Sequence, residues 1–335
     1  MKILFIGDMH LKISKFDLSK RFLAWIGTTI KEVQPDLVVN LGDTFDTHAI
    51  LRSEILYEFK KHVEDCPVPY IYVLGNHDRF KPNDDTYHAL QSFNIDGFRV
   101  IDKPTDIEEI SFIPYMHDFV NFPKETKPIC IAHQTFVGAD YGYYRPDVGV
   151  DADKISAEII ISGHIHKKQN FGKVYYPGAP FAHNLGDIDQ EKGITIFDTA
   201  TYKMEFIYSP FPRWRGIKLE ISDTLPVNDL HKTIISSIDD NPNKDNWVID
   251  ITGPKAEIIS YLDSKKWSDL QKKQPIRVRP TYTDNNRVEK KKISSVAISD
   301  IVCDYVDTIY TGSLEKTALK DKAVQLLNKT DKSNV

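Results

Sequence analysis

MKILFIGDMH, residues 1–10, carries a short apolar run over residues 2–6 and then breaks on Gly7-Asp8-Met9-His10. The run is too short for a signal peptide or a membrane span, and nearly all-apolar runs of this length read as strands buried on both faces. The same pattern recurs through the first two hundred residues, at 36–40, 70–74, 128–131 and 158–161. Each run ends in a Gly, Asn, Asp or His cluster, and helical periodicity fills residues 18–33 and 53–63. Such alternation is the α/β signature and predicts a layered sheet with helices on its faces. Shorter strands at 174–176, 193–197 and 203–208 follow without long helices, so the sheet should end in antiparallel pairs.

The character changes at SPFPRWRG, residues 209–216, where two prolines and a glycine place a domain boundary. Residues 217–292 then read as strand, helix, strand, helix, strand: 216–221, 230–238, 247–251, 256–262 and 276–278. Beyond them, Ile298, Ile301, Val302, Tyr305 and Ile309 fall on one apolar helical face, and Gly312 and Ser313 separate it from a second helix at 314–327. The expected organisation is a domain over 1–210, a small α+β domain over 216–292 and a helical pair over 293–335.

With 335 residues, 41% hydrophobic and 27% charged, the chain has the composition of a globular enzyme, not of a disordered or disulfide-dense protein. A net charge of -5 argues against a general nucleic-acid binder, so any positive footprint must be local. One exists: residues 265–292 hold ten Lys or Arg against three acids. Cys66, Cys130 and Cys303 are odd in number and widely spaced, which fits a reducing cytoplasm and neither a disulfide framework nor a zinc site.

Five clusters carry chemistry: Gly7-Asp8-Met9-His10, Gly42-Asp43-Thr44-Phe45-Asp46, Gly75-Asn76-His77-Asp78, Ala132-His133 and Gly163-His164-Ile165-His166. Taken singly, each has an ordinary explanation as a turn or a hydrogen-bonded histidine. All five follow expected strands, whose carboxyl ends converge on one crevice in open α/β sheets. Carboxylate, amide oxygen and imidazole donors suit a hard divalent cation such as Mn2+, and a metal pair needs one bridging carboxylate. The lack of cysteine among them disfavours a structural zinc site.

This ordered set resembles the calcineurin-like metallophosphoesterase superfamily, whose motifs are Asp-x-His, Gly-Asp-x-x-Asp, Gly-Asn-His-Asp/Glu, His and Gly-His-x-His. The resemblance covers roughly residues 1–200. It implies a sandwich of mixed sheets flanked by helices and two divalent ions, Mn2+ by preference, with Mg2+, Fe2+ and Zn2+ as alternatives. It further implies that Asp8, His10 and His166 hold one ion, that Asn76, His133 and His164 hold the other, and that Asp43 bridges. His77 is then the non-ligand that protonates the leaving oxygen, with Asp78 expected to orient it. Asp46 and His48 read either as turn residues or as support behind the ligands.

The superfamily includes protein phosphatases, cyclic-nucleotide phosphodiesterases and DNA nucleases, so the fold leaves the substrate open. Thr47-His48 stands after Asp46 where protein phosphatases of this type carry Arg-Gly. The motif run at the start of the chain, Tyr176-Pro177-Gly178-Ala179-Pro180, Glu191-Lys192-Gly193 and the α+β module make the chain similar to SbcD-type nuclease subunits of DNA repair exonucleases and their phage counterparts. That resemblance implies a DNA exonuclease or endonuclease of repair, recombination or replication, with residues 216–292 as a DNA-capping domain. It also implies an SbcC-type SMC-like ATPase partner, docked through Ile298, Ile301, Val302, Tyr305 and Ile309 by helix-in-groove packing. The cytoplasm, of a bacterial host if the chain is phage-encoded, is the expected location; oligomeric state stays open, a homodimer included. Arg277, Arg279, Lys290 and Lys291 in the basic segment are candidates for backbone phosphates, and Tyr143 and Arg145 for unpaired bases beside Tyr141 and Tyr144. The alternative is a small-molecule phosphodiesterase or phosphomonoesterase, with residues 217–292 as a lid.

Overall fold

Ile3 and Phe5 leave the first strand on one side and Leu4 and Ile6 on the other, and the two pairs end in different cores. This follows from the two-residue period of a strand and explains why the run contains no polar position between its ends. The computed structural model describes every residue except Ala49, Pro82, Ala89, Tyr143, Asp147 and residues 239–244, 284–316, 318–319 and 321–335. In chain order the main elements are β1 (Lys2–Ile6), α1 (Phe16–Val33), β2 (Leu37–Asn40), α2 (Ser53–Glu64), β3 (Tyr70–Val73), β4 (Arg79–Lys81), β5 (Asp84–His88), β6 (Phe98–Ile101), β7 (Thr105–Ile107), β8 (Ile110–Ile113) and β9 (Ile129–His133). They continue with β10 (Ile159–Gly163), β11 (Gln169–Phe171), β12 (Val174–Tyr176), β13 (Gly193–Asp198), β14 (Lys203–Tyr208), β15 (Trp214–Glu220), α3 (Val227–Ile238), β16 (Asn246–Gly253), α4 (Lys255–Leu262), α5 (Lys265–Lys273) and β17 (Ile276–Tyr282).

Two six-stranded sheets face each other. The first has the order β14-β13-β1-β2-β3-β6 and the second β11-β12-β10-β9-β8-β7. Their centres are parallel, and the antiparallel strands β13 and β14, β11, and β7 lie toward the margins. Between the sheets lies a core of Ile3, Phe5, Val39, Ile71, Val73, Phe112, Ile131 and Ile161. On the outer face of the first sheet, Leu4, Ile6, Val38, Tyr70 and Tyr72 pack with Phe22, Ile26 and Ile30 of α1 and with Ile55, Phe59 and Val63 of α2, positions spaced three or four apart. The outer face of the second sheet is covered differently: Phe122, Phe136, Val150 and Ile155 from loops pack on Cys130, Ala132, Ile160 and Tyr176.

The expected boundary at 209–216 is a packed segment, for Phe211 is buried against Phe22 and Trp25 of α1. Beyond it, β15-β16-β17 form a three-stranded sheet, with α3, α4 and α5 burying Leu230, Ile234, Ile258, Tyr261, Trp267 and Leu270. The helix α5 falls inside the segment read from sequence as a basic run. Ser264 caps it by accepting from Trp267 N, and only Trp267 and Leu270 turn inward. Met1–Thr252 with Ala256–Thr281 constitute one compact unit; Gly253–Lys255 and residues from Tyr282 onward belong to another, most of which lies outside the described residues. Among the described residues no helix is long and apolar enough to cross a membrane.

Candidate metal centre

All five clusters occupy the ends of central strands: β1 leads to Asp8 and His10, β2 to Asp43, β3 to Asn76, β9 ends on His133 and β10 leads to His164 and His166. Sharp turns are needed to aim these side chains. His10, Asp43 and His164 adopt positive φ, at 41°, 50° and 83°, a strain that non-glycine residues tolerate only where the surroundings over-determine them. Gly42 has φ 95°, and a Cβ there would lie 2.7 Å from Gly75 N, Val73 O and His133 Nδ1. Asn40 braces the turn, accepting from Gly42 N and donating to Thr44.

The donor atoms form two clusters. In the first, His10 Nε2 and His166 Nε2 face each other at 3.0 Å, with an Asp8 oxygen completing the group. In the second, Asn76 Oδ1 is 2.8 Å from His164 Nδ1 and 3.3 Å from His133 Nε2, and these two nitrogens are 3.3 Å apart. Asp43 stands between them: its Oδ2 is 3.8 Å from His10 Nε2 and 3.4 Å from His133 Nε2. His133 donates its Nδ1–H to Leu41 O, which directs the lone pair of Nε2 into the cluster.

These residues fit divalent cations on two further grounds. Asp8 Oδ2 is buried without a hydrogen-bond partner, and opposed imidazole nitrogens at hydrogen-bond distance need a proton or a cation between them. Electrostatics agrees. Burial opposes charge on His133, yet Asp43 and Asp8 outweigh it and hold its pKa up at about 9. Burial, with charged His133 beside it, presses His164 down to about 3. The pocket therefore favours about one positive charge beside Asp43, and cation binding there must displace that proton.

Asp78 requires a correction. The sequence reading has it orient His77; instead its Oδ2 accepts from Asp43 N at 2.8 Å and Gly75 N at 2.9 Å, and its Oδ1 from Thr44 N at 3.1 Å. Its carboxylate is consumed by the backbone of the two turns, and burial, then Asp43, push it up to about 6. His77 is held by other means: Nδ1 meets Asp46 O at 3.1 Å, the main-chain N donates to Asp43 Oδ1 at 2.8 Å, and the ring stacks on His48 at 4.4 Å. Thus Asp46 and His48 stand behind His77, and Lys12 pairs with the Asp46 carboxylate at 2.8 Å.

Three residues near the centre, His183, Asp187 and Lys192, are given no place at the site by the sequence, where Lys192 counts only as part of the Glu191-Lys192-Gly193 run. His183 donates from Nε2 to Asp8 O at 3.0 Å, its ring 5.1 Å from those of both His10 and His166. Lys192, 1% exposed, pairs with Asp187 at 2.6 Å. The Asn184-x-x-Asp187 capping box is the legible sign of an ordered turn here, but it gives no hint of what the turn touches. The cleft is walled by Tyr141, whose ring stacks on Tyr144 at 5.1 Å.

The other site residues are more dispersed. Arg145 is exposed, 3.6 Å from Asp140. Arg277 lies over the Trp214 ring at 5.2 Å, and Arg279 pairs with both oxygens of Asp250 at 2.6 and 2.8 Å. Tyr143, Lys290, Lys291, Ile298, Ile301, Val302, Tyr305 and Ile309 lie outside the described residues.

The family model described as calcineurin-like phosphoesterase matches residues 1–168, half of the chain, and takes in all five clusters. The chain belongs to that family. Calcineurin-like phosphoesterases use divalent metal ions, in keeping with the donor clusters. Among curated proteins the chain is similar to exonuclease subunit 1 of Enterobacteria phage T4, at 24% identity over 80% of this chain and 87% of the relative. It is also similar to the SbcD component of the SbcCD nuclease of Bacillus subtilis, at 22% over 90% and 91%, and to the DNA double-strand break repair protein Mre11 of Sulfolobus acidocaldarius, at 23% over 100% and 97%.

Proposed function

We propose that the chain is a two-metal-ion nuclease that hydrolyses DNA phosphodiesters, with Asp8, His10 and His166 at one metal position, Asn76, His133 and His164 at the other, and Asp43 shared. The observation that carries the reading is the reach of Asp43 Oδ2 toward both donor clusters. Divalent ions held there supply charge neutralisation at a phosphoryl oxygen and bring the pKa of water toward neutrality. No protein nucleophile is then required. His77 donates Nδ1–H to the Asp46 carbonyl, so in the imidazolium form it is the Nε2 proton that passes to the departing oxygen, leaving a neutral ring that keeps its Nδ1–H. Its main-chain bond to Asp43 Oδ1 ties the placement of that acid to the shared carboxylate.

The names of the relatives, an exonuclease subunit, a nuclease subunit and a double-strand break repair protein, favour DNA as the substrate. From the resemblance of the motifs to SbcD-type nuclease subunits we further propose residues 216–292 as a DNA-capping module, residues 293–335 as the docking segment for an SbcC-type ATPase subunit, and Mn2+ as the working ion. The small-molecule alternative has one observation on its side. Four cations near the cleft are already paired with acids: Lys12 with Asp46, Lys167 and Arg145 with Asp140, and Lys168 with Glu191. A polyanion must exchange those partners.

The test is incubation of the pure chain with labelled single- and double-stranded DNA and with a chromogenic phosphodiester, with and without manganese. Manganese-dependent DNA cleavage that Asp43→Asn abolishes is expected. Hydrolysis confined to the small diester or to mononucleotides would replace the nuclease reading with the small-molecule one.

A further inference from the structure

Lys192 stands immediately before β13, and its buried ammonium makes three hydrogen bonds, one for each proton: to Asp187 Oδ1 at 2.6 Å, His166 O at 2.9 Å and Gln190 Oε1 at 3.0 Å. Asp187 uses its other oxygen on the backbone, accepting from His183 N at 2.8 Å and Asn184 N at 3.1 Å. From the loop so fixed, His183 donates to Asp8 O. One ion pair thereby reaches the main chain of two donors, His166 directly and Asp8 through His183. Both belong to the same cluster. In the second cluster His133 is held by Leu41 O and the Asn76 main chain meets His48, both outside this network; only the His164 main chain, which donates to Asp8 Oδ1, touches it, one link further from the ion pair.

A buried ion pair is a poor device for stability, because desolvating both charges offsets most of their attraction and apolar replacement of both is often neutral. Its value lies in fixed geometry. With every donor of Lys192 and both oxygens of Asp187 engaged, neither group can shift without leaving a buried polar atom unsatisfied.

We propose that Lys192 and Asp187 are positioning residues that raise the cation affinity of the Asp8, His10 and His166 cluster more than that of the other cluster. The inference rests on the two-position reading above. Its test is calorimetric titration of the metal-free chain with Mn2+ alone, together with the Mn2+ resonance signature of a coupled pair. Wild type should bind two ions. The double variant Asp187→Leu with Lys192→Met removes both charges at once; it should melt within a few degrees of wild type, yet bind one of the two ions roughly 10- to 100-fold more weakly. At one equivalent per chain its signal should be that of isolated ions.

His183→Leu keeps the ion pair and removes only the bond to Asp8 O, so it should weaken the same single step and supplies the reading if the double variant fails to fold. Asp187→Asn with Lys192→Gln, which retains a hydrogen-bonded pair without charge, should recover part of the affinity. Identical two-ion binding by wild type and His183→Leu, or equal weakening of both steps, overturns the inference alone. A wild-type chain that binds a single ion overturns the two-position reading and the inference with it.

Discussion

Replacement of His77 by glutamine separates proton transfer from metal binding. The wild-type ring is fixed by Asp46 O at Nδ1, and the main-chain N–H to Asp43 Oδ1 survives any side-chain change. Glutamine offers an amide N–H near the Nε2 position but releases no proton. Losing a positioned general acid costs a factor of about 100 to 10,000, which is about 2.7 to 5.4 kcal/mol of transition-state stabilisation. That loss should fall on kcat for DNA, whose leaving alkoxide needs a proton. A chromogenic diester with a stable phenolate leaving group should lose less than about tenfold, because its departing oxygen needs no proton. Steady-state kinetics on both substrates, with bound manganese measured alongside, provides the assay. Equal losses on the two substrates, or departure of metal from the variant, would refute the role given to Nε2.

Asp43→Asn should weaken both manganese steps together, by at least about tenfold each, since one oxygen reaches both clusters; loss of only one step in calorimetry would remove its bridging role. His62, buried on α2 away from the centre, has its pKa pressed by burial from 6.5 to about 4. The unfolded chain therefore takes up this proton first as pH falls, and stability drops between pH 6.5 and about 4, by about 2 kcal/mol at pH 5 relative to pH 8. From denaturant melts at the two pH values, wild type should lose about 2 kcal/mol more unfolding free energy between pH 8 and pH 5 than His62→Leu; equal losses would show that His62 does not titrate on unfolding. Deleting residues 294–335 should abolish capture by the proposed SbcC-type ATPase subunit while sparing manganese-dependent cleavage of simple substrates, and a truncated chain that still copurifies with such a subunit would remove the docking assignment. If DNA must displace the acids paired with Lys12, Lys167 and Lys168, cleavage at subsaturating DNA should fall steeply between about 50 and about 200 mM salt while hydrolysis of the small diester stays nearly flat.

The central strands β1, β2, β3, β9 and β10 and the polar residues that follow them were legible because burial on both faces leaves each run no polar interruption, whereas β6, β7, β8 and β11 of the same sheets, broken by Arg99, Asp106, Ser111 and Asn170, were not. Local sequence also carried the amphipathic stripes of α1 and α2, whose inward residues recur every three or four positions. Charge composition concealed α5, since Trp267 and Leu270 alone face inward among four lysines and an aspartate in a nine-residue helix.

What the chain could not announce is which neighbour a polar side chain meets across distance. Asp78 lies next to His77 in sequence and bonds instead to the turn at Asp43, 35 residues away. His183 reaches Asp8 over 175 residues. The sequence by itself determined the central strands and which polar residues stand at their ends, because these follow from apolar periodicity and from residue chemistry. Only the tertiary structure decided the support behind those donors: a hydrogen bond depends on direction and on a distance of about 3 Å, and both come from how two sheets and a distant loop pack together.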